Sequence, residues 1–409
     1  MFARAATHDP AVAALAPPDA MRLPWTGRNV PHAVLDLLRD CDVRCPGCYN
    51  ARSFPPKPLE QIRGELEALL AARRLHTVTL SGGEPLLHPQ LAEIVAAARA
   101  RGLKVTLLTN GVRLSAERVR ELKEAGLAAA FLHIQSEQER PDLAFGATSA
   151  DVRRLREEKA GVLAAHGIEA GLSIIAYRDG GGDVSAAVEQ ARASPVLNFL
   201  LVTGFTDFRR FRGTRGCLAR GLAGPPAPAR ATDTGDEDVR GGDLRGWLAG
   251  MGLNPYAYVG CSRDAGDARW LACLEGGVLR RGGVVHREWI RAGASDRALL
   301  RLTKALLGRY PFFYRAGPVS FRVQLLLNAL TGGRAAGNAR LLLAAAWPGA
   351  RLIDKHFVFQ EGPRLEPDGT VSYCRDCPDA TMAGGRLVPL CICDWMTEGV
   401  RQPVEEGRS

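Results

Sequence analysis

Residues 33–49 read AVLDLLRDCDVRCPGCY, a leucine-rich and β-branched run that leads directly into a loop with three cysteines. The apolar run predicts a strand at 33–38. Cys41, Cys45 and Cys48 follow with three and then two residues between them, and a Pro-Gly pair favours a loop at this point. Since only a loop can fold three sulfurs around one centre, the spacing predicts a metal site after the first strand.

The number of cysteines in this loop indicates an iron-sulfur cluster with an open position. Three thiolates bind three irons of a four-iron cube and leave the fourth without a protein ligand, whereas electron-transfer clusters normally take four cysteines. A structural zinc site is the alternative. Zinc takes four tetrahedral ligands, and no further His or Cys follows the loop closely.

A second motif, Leu80-Ser81-Gly82-Gly83-Glu84-Pro85, ends the next predicted strand. Two glycines allow the backbone to approach a ligand closely, and the Glu84 carboxylate suits an ammonium group. On its own this motif is also consistent with a plain turn.

Together the two motifs resemble those of the radical S-adenosylmethionine (SAM) superfamily. The resemblance covers about residues 31–205 and implies an α/β fold, a partial (β/α)6 TIM-type barrel. It implies that Cys41, Cys45 and Cys48 hold a 4Fe-4S cluster, and that the amino and carboxylate groups of SAM bind the fourth iron. Glu84 would contact that amino group.

The resemblance also suggests further SAM-binding positions. Relatives often have an aromatic residue directly before the third cysteine, near the adenine, where this chain has Gly47 and then Tyr49. His133 stands where relatives often have a serine, and with Gln135 it falls near the end of the fourth predicted strand, where barrel sites are built. The candidate cofactor-binding residues are Gly82, Gly83, Glu84, Pro85, Tyr49, Thr109, Asn110, His133 and Gln135.

Short apolar runs alternate with amphipathic stretches from residue 31 onward, which predicts repeated β/α units around a parallel sheet. The predicted strands are 33–38, 77–81, 104–109, 130–135, 171–177 and 196–203. The predicted helices between them are 59–72, 90–101, 116–125, 151–166 and 184–192.

The remaining chain divides by composition. We expect an N-terminal extension at 1–30, a linker or mobile loop at 206–242, a mainly helical region at 243–372 and an auxiliary metal-cluster segment at 373–409. Helices are predicted at 296–307, 319–330 and 338–346. The stripe formed by Leu299, Leu302, Leu306 and Tyr310 is interpreted as core, with a greasy substrate or a membrane surface as the alternative.

Four cysteines near the end of the chain, Cys374, Cys377, Cys391 and Cys393, have the spacing Cys-x2-Cys-x13-Cys-x-Cys. The spacing resembles the auxiliary-cluster segment of the molybdenum-cofactor GTP cyclase, and similar twitch and SPASM domains occur elsewhere in the superfamily. The resemblance implies a second 4Fe-4S cluster. A zinc knuckle is the alternative.

The other three cysteines, Cys217, Cys261 and Cys273, are isolated in the sequence. They are interpreted as buried or surface thiols, although Cys261 and Cys273 together could complete another site.

Bulk composition excludes some function classes. The net charge of +9 comes from scattered basic residues, and no basic cluster alternates with aromatics, so we expect no nucleic-acid partner. We also expect no signal peptide, no transmembrane segment and a cytoplasmic location. The resemblance implies a flavodoxin- or ferredoxin-type electron donor.

The leading functional hypothesis is an enzyme that reductively cleaves SAM to a 5′-deoxyadenosyl radical and abstracts hydrogen from an organic small molecule or lipid in a biosynthetic tailoring reaction. The leucine-rich helices favour a hydrophobic substrate. One alternative is a SPASM-like maturase that modifies a ribosomally made peptide. Another is a non-catalytic iron-sulfur or zinc protein that acts as a redox sensor or scaffold.

Overall fold

The computed structural model describes residues 20–50, 54–144, 147–208, 238–312, 318–332, 334–367 and 370–394. Most of the expected N-terminal extension, most of the expected linker at 206–242, Cys217 and the chain after Asp394 lie outside these residues.

Parallel strands in sequence order form one half of the main sheet. The short strand β1 (Met21–Arg22) comes first in the chain, and the parallel strands follow it. They are β2 (His32–Asp36), β3 (Thr77–Ser81), β4 (Lys104–Thr109), β5 (Leu127–Leu132), β6 (Glu169–Ala176) and β7 (Leu197–Gly204). Each pairs with the next, so all of their carboxyl ends meet at one edge.

A helix connects each strand of this set to the next. These are α1 (Leu59–Ala72), α2 (Leu91–Ala100), α3 (Ala116–Ala125), α4 (Ser149–Ala165) and α5 (Gly181–Ala193). In α1, for example, Ile62, Leu66 and Leu69 recur at helical spacing and are buried in the main core. The predicted (β/α)6 arrangement is confirmed.

One strand boundary differs from the prediction in a way that affects the site. The fourth strand of the set was expected at 130–135, but β5 begins at Leu127, opposite Val105 of β4, and ends at Leu132. Pairing with β4 therefore fixes its register. His133 and Gln135 consequently lie in the loop after the strand.

The second half of the chain adds strands to the same sheet alongside the helices predicted there. After α6 (Gly241–Gly250) come β8 (Pro255–Gly260), β9 (Ala268–Arg280), β10 (Gly283–Ile290) and, later, β11 (Arg351–Gln360). The sheet order is β1-β8-β9-β11-β7-β6-β5-β4-β3-β2, with β10 paired to β9. The long strand β9 is buried along most of its length and so gives no alternating signal in the sequence.

Three helices, α7 (Ala294–Leu307), α8 (Pro318–Thr331) and α9 (Ala335–Ala345), lie between β10 and β11, close to their predicted positions. Of the stripe interpreted as core, only Tyr310 is buried, while Leu299, Leu302 and Leu306 are exposed. That interpretation is wrong for the three leucines, because α7 packs on α8 rather than under another layer.

The chain then forms two small hairpins. They are β12 (Arg364–Leu365) with β13 (Val371–Ser372) and β14 (Ala380–Ala383) with β15 (Arg386–Pro389). In the parts of the chain that are described, no helix has the length and apolar character needed to cross a bilayer.

Candidate active site and cysteine centres

Cys41, Cys45 and Cys48 lie in the loop after β2, at the carboxyl edge of the parallel strands. Desolvation raises the pKa of Cys41 and of Cys48 to about 11, although part of each side chain reaches solvent, and it also raises the pKa of Cys45. The two other thiols contribute to the raised pKa of Cys41, so the three sulfurs share one small region. Thiolates in such a place need a cationic partner, which an iron-sulfur cluster supplies.

Two side-chain amides point N–H donors at these sulfurs. Asn110 Nδ2 lies 3.7 Å from Cys41 Sγ, and Gln138 Nε2 lies 3.2 Å from Cys45 Sγ. Hydrogen bonds to sulfur are one of the means by which proteins tune iron-sulfur clusters. Asn110 was among the predicted residues, whereas Gln138 was missed because nothing in the local sequence marks it.

The loops after β4 and β5 hold the cysteine loop in place. Asp42 accepts hydrogen bonds from Asn110 Nδ2 and Arg113 Nε, both at 2.8 Å. Arg44 and Glu139 exchange two backbone hydrogen bonds of 3.1 and 3.0 Å. The cysteine loop is thus held by hydrogen bonds from the loops that follow two neighbouring strands, β4 and β5.

Gly82 and Gly83 allow a close approach of backbone to backbone. A Cβ on either residue would come within 2.2 Å of a carbonyl oxygen, that of Leu38 for Gly82 and that of Asp40 for Gly83. Gly82 also has a φ of +142°, which side chains rarely adopt. The sequence predicts that these glycines contact a ligand. In the structure they also allow close packing against the segment that leads into the cysteine loop.

Glu84 is fully buried and joins β3 to β4. Its Oε1 accepts from Leu86 N at 2.9 Å and Thr109 Oγ1 at 2.7 Å, and its Oε2 accepts from Asn110 N at 2.7 Å. Burial raises its pKa to about 7 in spite of these donors. A carboxylate has about four acceptor positions, so one remains for an ammonium group.

Pro85 and Tyr49 contact other parts of the protein. Pro85 begins a short 3-10 helix that Glu84 caps. The Tyr49 ring lies 5.8 Å from the Arg39 guanidinium, and its hydroxyl is hydrogen-bonded to Ser81, while desolvation raises its pKa. Contact between Tyr49 and adenine stays a prediction.

Two aromatic residues occupy the space next to Gly47. A Cβ on Gly47 would come within 3.1 Å of the Phe205 ring and 3.2 Å of the Tyr177 hydroxyl. Tyr177 follows β6, Phe205 follows β7, and their ring centroids are 5.2 Å apart. The absence of an aromatic side chain before the third cysteine is thus accompanied by an aromatic pair from the neighbouring strand ends.

His133 and Gln135 form hydrogen bonds with the backbone of β6. His133 Nδ1 lies 2.9 Å from Ser173 O, and burial lowers its pKa. Gln135 donates to Ile175 O at 2.8 Å and accepts from Ile175 N at 2.7 Å. These contacts join the loop after β5 to β6, and contact of either residue with SAM stays a prediction.

The C-terminal cysteines form a second, more deeply buried group. A hydrogen bond with Cys374, together with burial, raises the pKa of Cys377 well above its usual range. Burial and the nearby Cys374 and Cys393 likewise raise the pKa of Cys391. The three sulfurs of Cys374, Cys377 and Cys391 therefore interact with one another.

Cys261, interpreted from the sequence as an isolated thiol, lies directly opposite Cys374. The two form an antiparallel bridge, flanked by the hydrogen bonds Arg375 N to Gly260 O at 2.7 Å and Ser262 N to Tyr373 O at 2.8 Å. This is the non-hydrogen-bonded type of pair, in which the two side chains project from the same face about 5 Å apart. Cys273, by contrast, is buried in the main core, and Arg192 and Glu275 influence its pKa.

Cys393 turns toward the first cysteine loop. Its Sγ accepts from an Arg39 guanidinium nitrogen at 3.1 Å. The same nitrogen lies 2.7 Å from Asp36 and 3.3 Å from Asp394, and the Arg39 side chain is 1% exposed. Arg39 thus ties the end of β2 to the C-terminal segment.

The donor chemistry of the first cysteine group fits an iron-sulfur cluster. Cys41, Cys45 and Cys48 are an all-thiol set, and amide N–H donors lie beside two of the three sulfurs. Among residues with described positions, no three His, Cys, Asp or Glu side chains are arranged to hold one metal ion. For the second group, an iron-sulfur cluster and a zinc ion both stay predictions.

Comparisons with known proteins agree with this site. Residues 36–164 match the Radical SAM superfamily. PqqA peptide cyclase of Streptomyces rochei is 34% identical over 157 residues, which cover 36% of this chain and 40% of that protein. The chain thus matches about two fifths of the length of this relative.

Solved structures show only weak likeness. SuiB of Streptococcus suis bound to S-adenosylmethionine has 14% identity and a TM-score of 0.37, covering 55% of this chain and 47% of that one. TsrM from Kitasatospora setae, a radical S-adenosylmethionine methyltransferase, has 13% identity and a TM-score of 0.33, covering 54% and 52%.

Residues 36–164 are thus similar to the Radical SAM superfamily, in agreement with the two motifs. Part of the chain is also similar to a peptide cyclase.

Proposed function

We propose that this chain is a radical SAM maturase that modifies a ribosomally made peptide. The observation that carries the proposal is its 34% identity, over 157 residues, with a protein named as a peptide cyclase. The small-molecule or lipid substrate first favoured by the sequence has less support than a peptide, because this relative is named for its action on a peptide.

Cys41, Cys45 and Cys48 would hold the 4Fe-4S cluster, and Glu84 would receive the amino group of SAM. When bound, the cluster would supply one electron to SAM, which would release methionine and a 5′-deoxyadenosyl radical able to take hydrogen from the peptide. Asn110 and Gln138 would orient the ligating sulfurs, and Glu84 with Thr109 would keep the loops after β3 and β4 in fixed relation. The electron would come from a flavodoxin- or ferredoxin-type donor.

A second cluster would lie in the C-terminal group. Its ligands would be Cys374, Cys377 and Cys391, with Cys261 as the fourth rather than Cys393. The support for Cys261 is its position opposite Cys374, and the support for excluding Cys393 is that its side chain faces Arg39, Asp36 and Asp394 at the end of β2. Four protein ligands would leave no iron open to substrate.

The substrate class can be tested by co-expressing the chain with each short open reading frame encoded beside its gene. We expect one of the resulting peptides to change mass, and we expect the change to disappear when Cys41, Cys45 and Cys48 are replaced by Ala. The matched control is Cys273→Ala, which removes a buried thiol outside both groups. Unchanged peptides, together with SAM cleavage stimulated by a small molecule, would contradict the maturase proposal.

A further inference from the structure

The outer sides of α7, α8 and α9 carry nearly all of the large apolar side chains that the described residues expose. Nine of the eleven lie on these helices and a tenth, Trp347, follows α9 by two residues; the exposed fractions of these ten lie between 44% and 84%. We call this set the helical face, and it consists of Leu299, Leu302, Leu306, Leu307, Val323, Leu326, Leu327, Leu330, Leu343 and Trp347. Soluble monomers rarely expose apolar groups in such concentration without a partner.

The spacing of these residues places them on one side of each helix. In α8, Val323, Leu326, Leu327 and Leu330 follow the three- and four-residue spacing of a single face. The opposite side of α8 is already filled, since Phe321 and Leu325 are buried in the second core cluster with Leu341 of α9. The exposed leucines are therefore additional to a completed core.

A buried polar network fixes α7 against α8 and so fixes the orientation of the face. Asp296 accepts hydrogen bonds from Gly293 N at 2.7 Å and Gln324 Nε2 at 2.9 Å. Asn328 Nδ2 also donates to Asp296, and Asn338 Nδ2 donates to Asn328 Oδ1 at 3.0 Å. The network buries the acidic group and leaves the apolar sides of α7 and α8 outward.

The charge of the segment that carries the helical face is predominantly positive. Residues 294–347 contain eight Arg or Lys and a single acidic residue, the buried Asp296, and so carry +7 of the chain's +9. Arg297, Arg301 and Arg322 are exposed. Two further arginines, Arg334 and Arg340, form ion pairs with Glu288 of β10 at 2.7 and 2.8 Å.

We propose that the helical face docks the enzyme on an anionic phospholipid bilayer, with α7 to α9 lying in the plane of the interface. Leucines and a tryptophan beside Arg and Lys, with no exposed acid in the segment, are typical of interfacial helices that bind anionic lipids. A second copy of the chain is a poorer occupant, because it would place two strongly basic segments against each other. The proposal is independent of the peptide substrate.

The test is co-sedimentation of the full-length protein with vesicles of mixed phosphatidylglycerol and phosphatidylcholine, and with vesicles of phosphatidylcholine alone. We expect the wild type to sediment with the anionic vesicles, much less with the neutral ones, and less in high salt. The variant Leu302→Ser/Leu306→Ser/Leu330→Ser should weaken binding by about a hundredfold or more, because three leucines lose their contact with lipid. Arg297→Glu/Arg301→Glu should abolish the preference for anionic lipid.

The matched control is Val285→Ser, which removes the single large exposed apolar side chain outside the helical face among the described residues. It should bind vesicles as the wild type does, and all variants should keep their circular dichroism and their SAM cleavage in solution. Wild type that stays in the supernatant would overturn the proposal, as would equal binding to both kinds of vesicle. A wild-type dimer that the triple leucine variant splits would assign the face to a second copy instead.

Discussion

The two cysteine groups of this protein are built in different ways. Cys41, Cys45 and Cys48 lie in one short loop, whereas the proposed second group combines the segments before and after the β14–β15 hairpin with Cys261, which follows β8 more than a hundred residues earlier. The first group can therefore be identified from spacing alone. In the proposed second group, spacing within one segment does not define the ligand set, because the fold places Cys261 opposite Cys374.

The two groups share cationic neighbours and differ in their neutral donors. The Arg140 and Arg39 guanidinium groups lie near Cys45 and Cys48, and the neutral amides of Asn110 and Gln138 also face this first group. The second group lies near other guanidinium groups, since Cys261 and Cys374 influence the pKa of Arg269, and Cys377 influences that of Arg73.

The difference between the two groups can be tested by measuring the iron content of the protein and its variants. Anaerobically reconstituted wild type should hold about eight irons and eight sulfides, and the triple Ala variant of the first loop about four of each. In that background Cys261→Ser should remove most of the remaining iron, while Cys393→Ser should retain it. Loss of iron with Cys393→Ser but not with Cys261→Ser would restore the ligand set predicted from the sequence. Stoichiometric zinc with no sulfide would establish the zinc knuckle.

The link between the two groups can be tested through Arg39. Arg39→Met should lower the free energy of unfolding of the metal-free protein by about 3–5 kcal/mol, because it leaves the buried Asp36 and Asp394 without their cation. Urea unfolding followed by circular dichroism measures the change. The control Arg63→Met removes a surface pair with Glu60 and should cost about 1 kcal/mol or less. Equal effects of both changes would show that Arg39 does not join the two regions.

A pH titration addresses Glu84 in the first site. Burial raises its pKa to about 7, so the carboxylate becomes protonated as the pH falls through 7. The ionised form attracts an ammonium group, and SAM affinity should therefore rise as the pH increases from 6 to 8. Glu84→Gln should weaken SAM binding by about tenfold at pH 8 and flatten this dependence, with the iron content unchanged. A pH profile that persists in the variant would remove Glu84 from SAM binding.

The smallest effect is expected at Gln135. Gln135→Leu should lower the free energy of unfolding by about 1–2 kcal/mol, because the backbone groups of Ile175 lose their partners. The Kd for SAM should stay within about twofold of the wild-type value. A strong loss of SAM affinity at unchanged stability would instead support the contact predicted from the sequence.

The parts of the molecule that the sequence could predict are those determined locally. Strand β3, strand β4, α1 and α3 agree with their predicted bounds because their periodicity and flanking turns act within a few residues. The end of β5 was misplaced because its pairing with Val105, rather than its own composition, sets the register. Cys261 beside Cys374, Gln138 beside Cys45 and the Tyr177–Phe205 pair beside Gly47 depend on contacts between distant segments, for which a single sequence gives no local signal.

The first cysteine loop is proposed to support reductive cleavage of SAM. The direct measurement is the anaerobic release of 5′-deoxyadenosine from SAM with dithionite, followed by liquid chromatography, for the wild type and for the variant with Cys41, Cys45 and Cys48 changed to Ala. We expect 5′-deoxyadenosine from the wild type and none above background from the variant, with Cys273→Ala behaving as the wild type. Equal product from the triple variant, or none from a fully reconstituted wild type, would contradict the account.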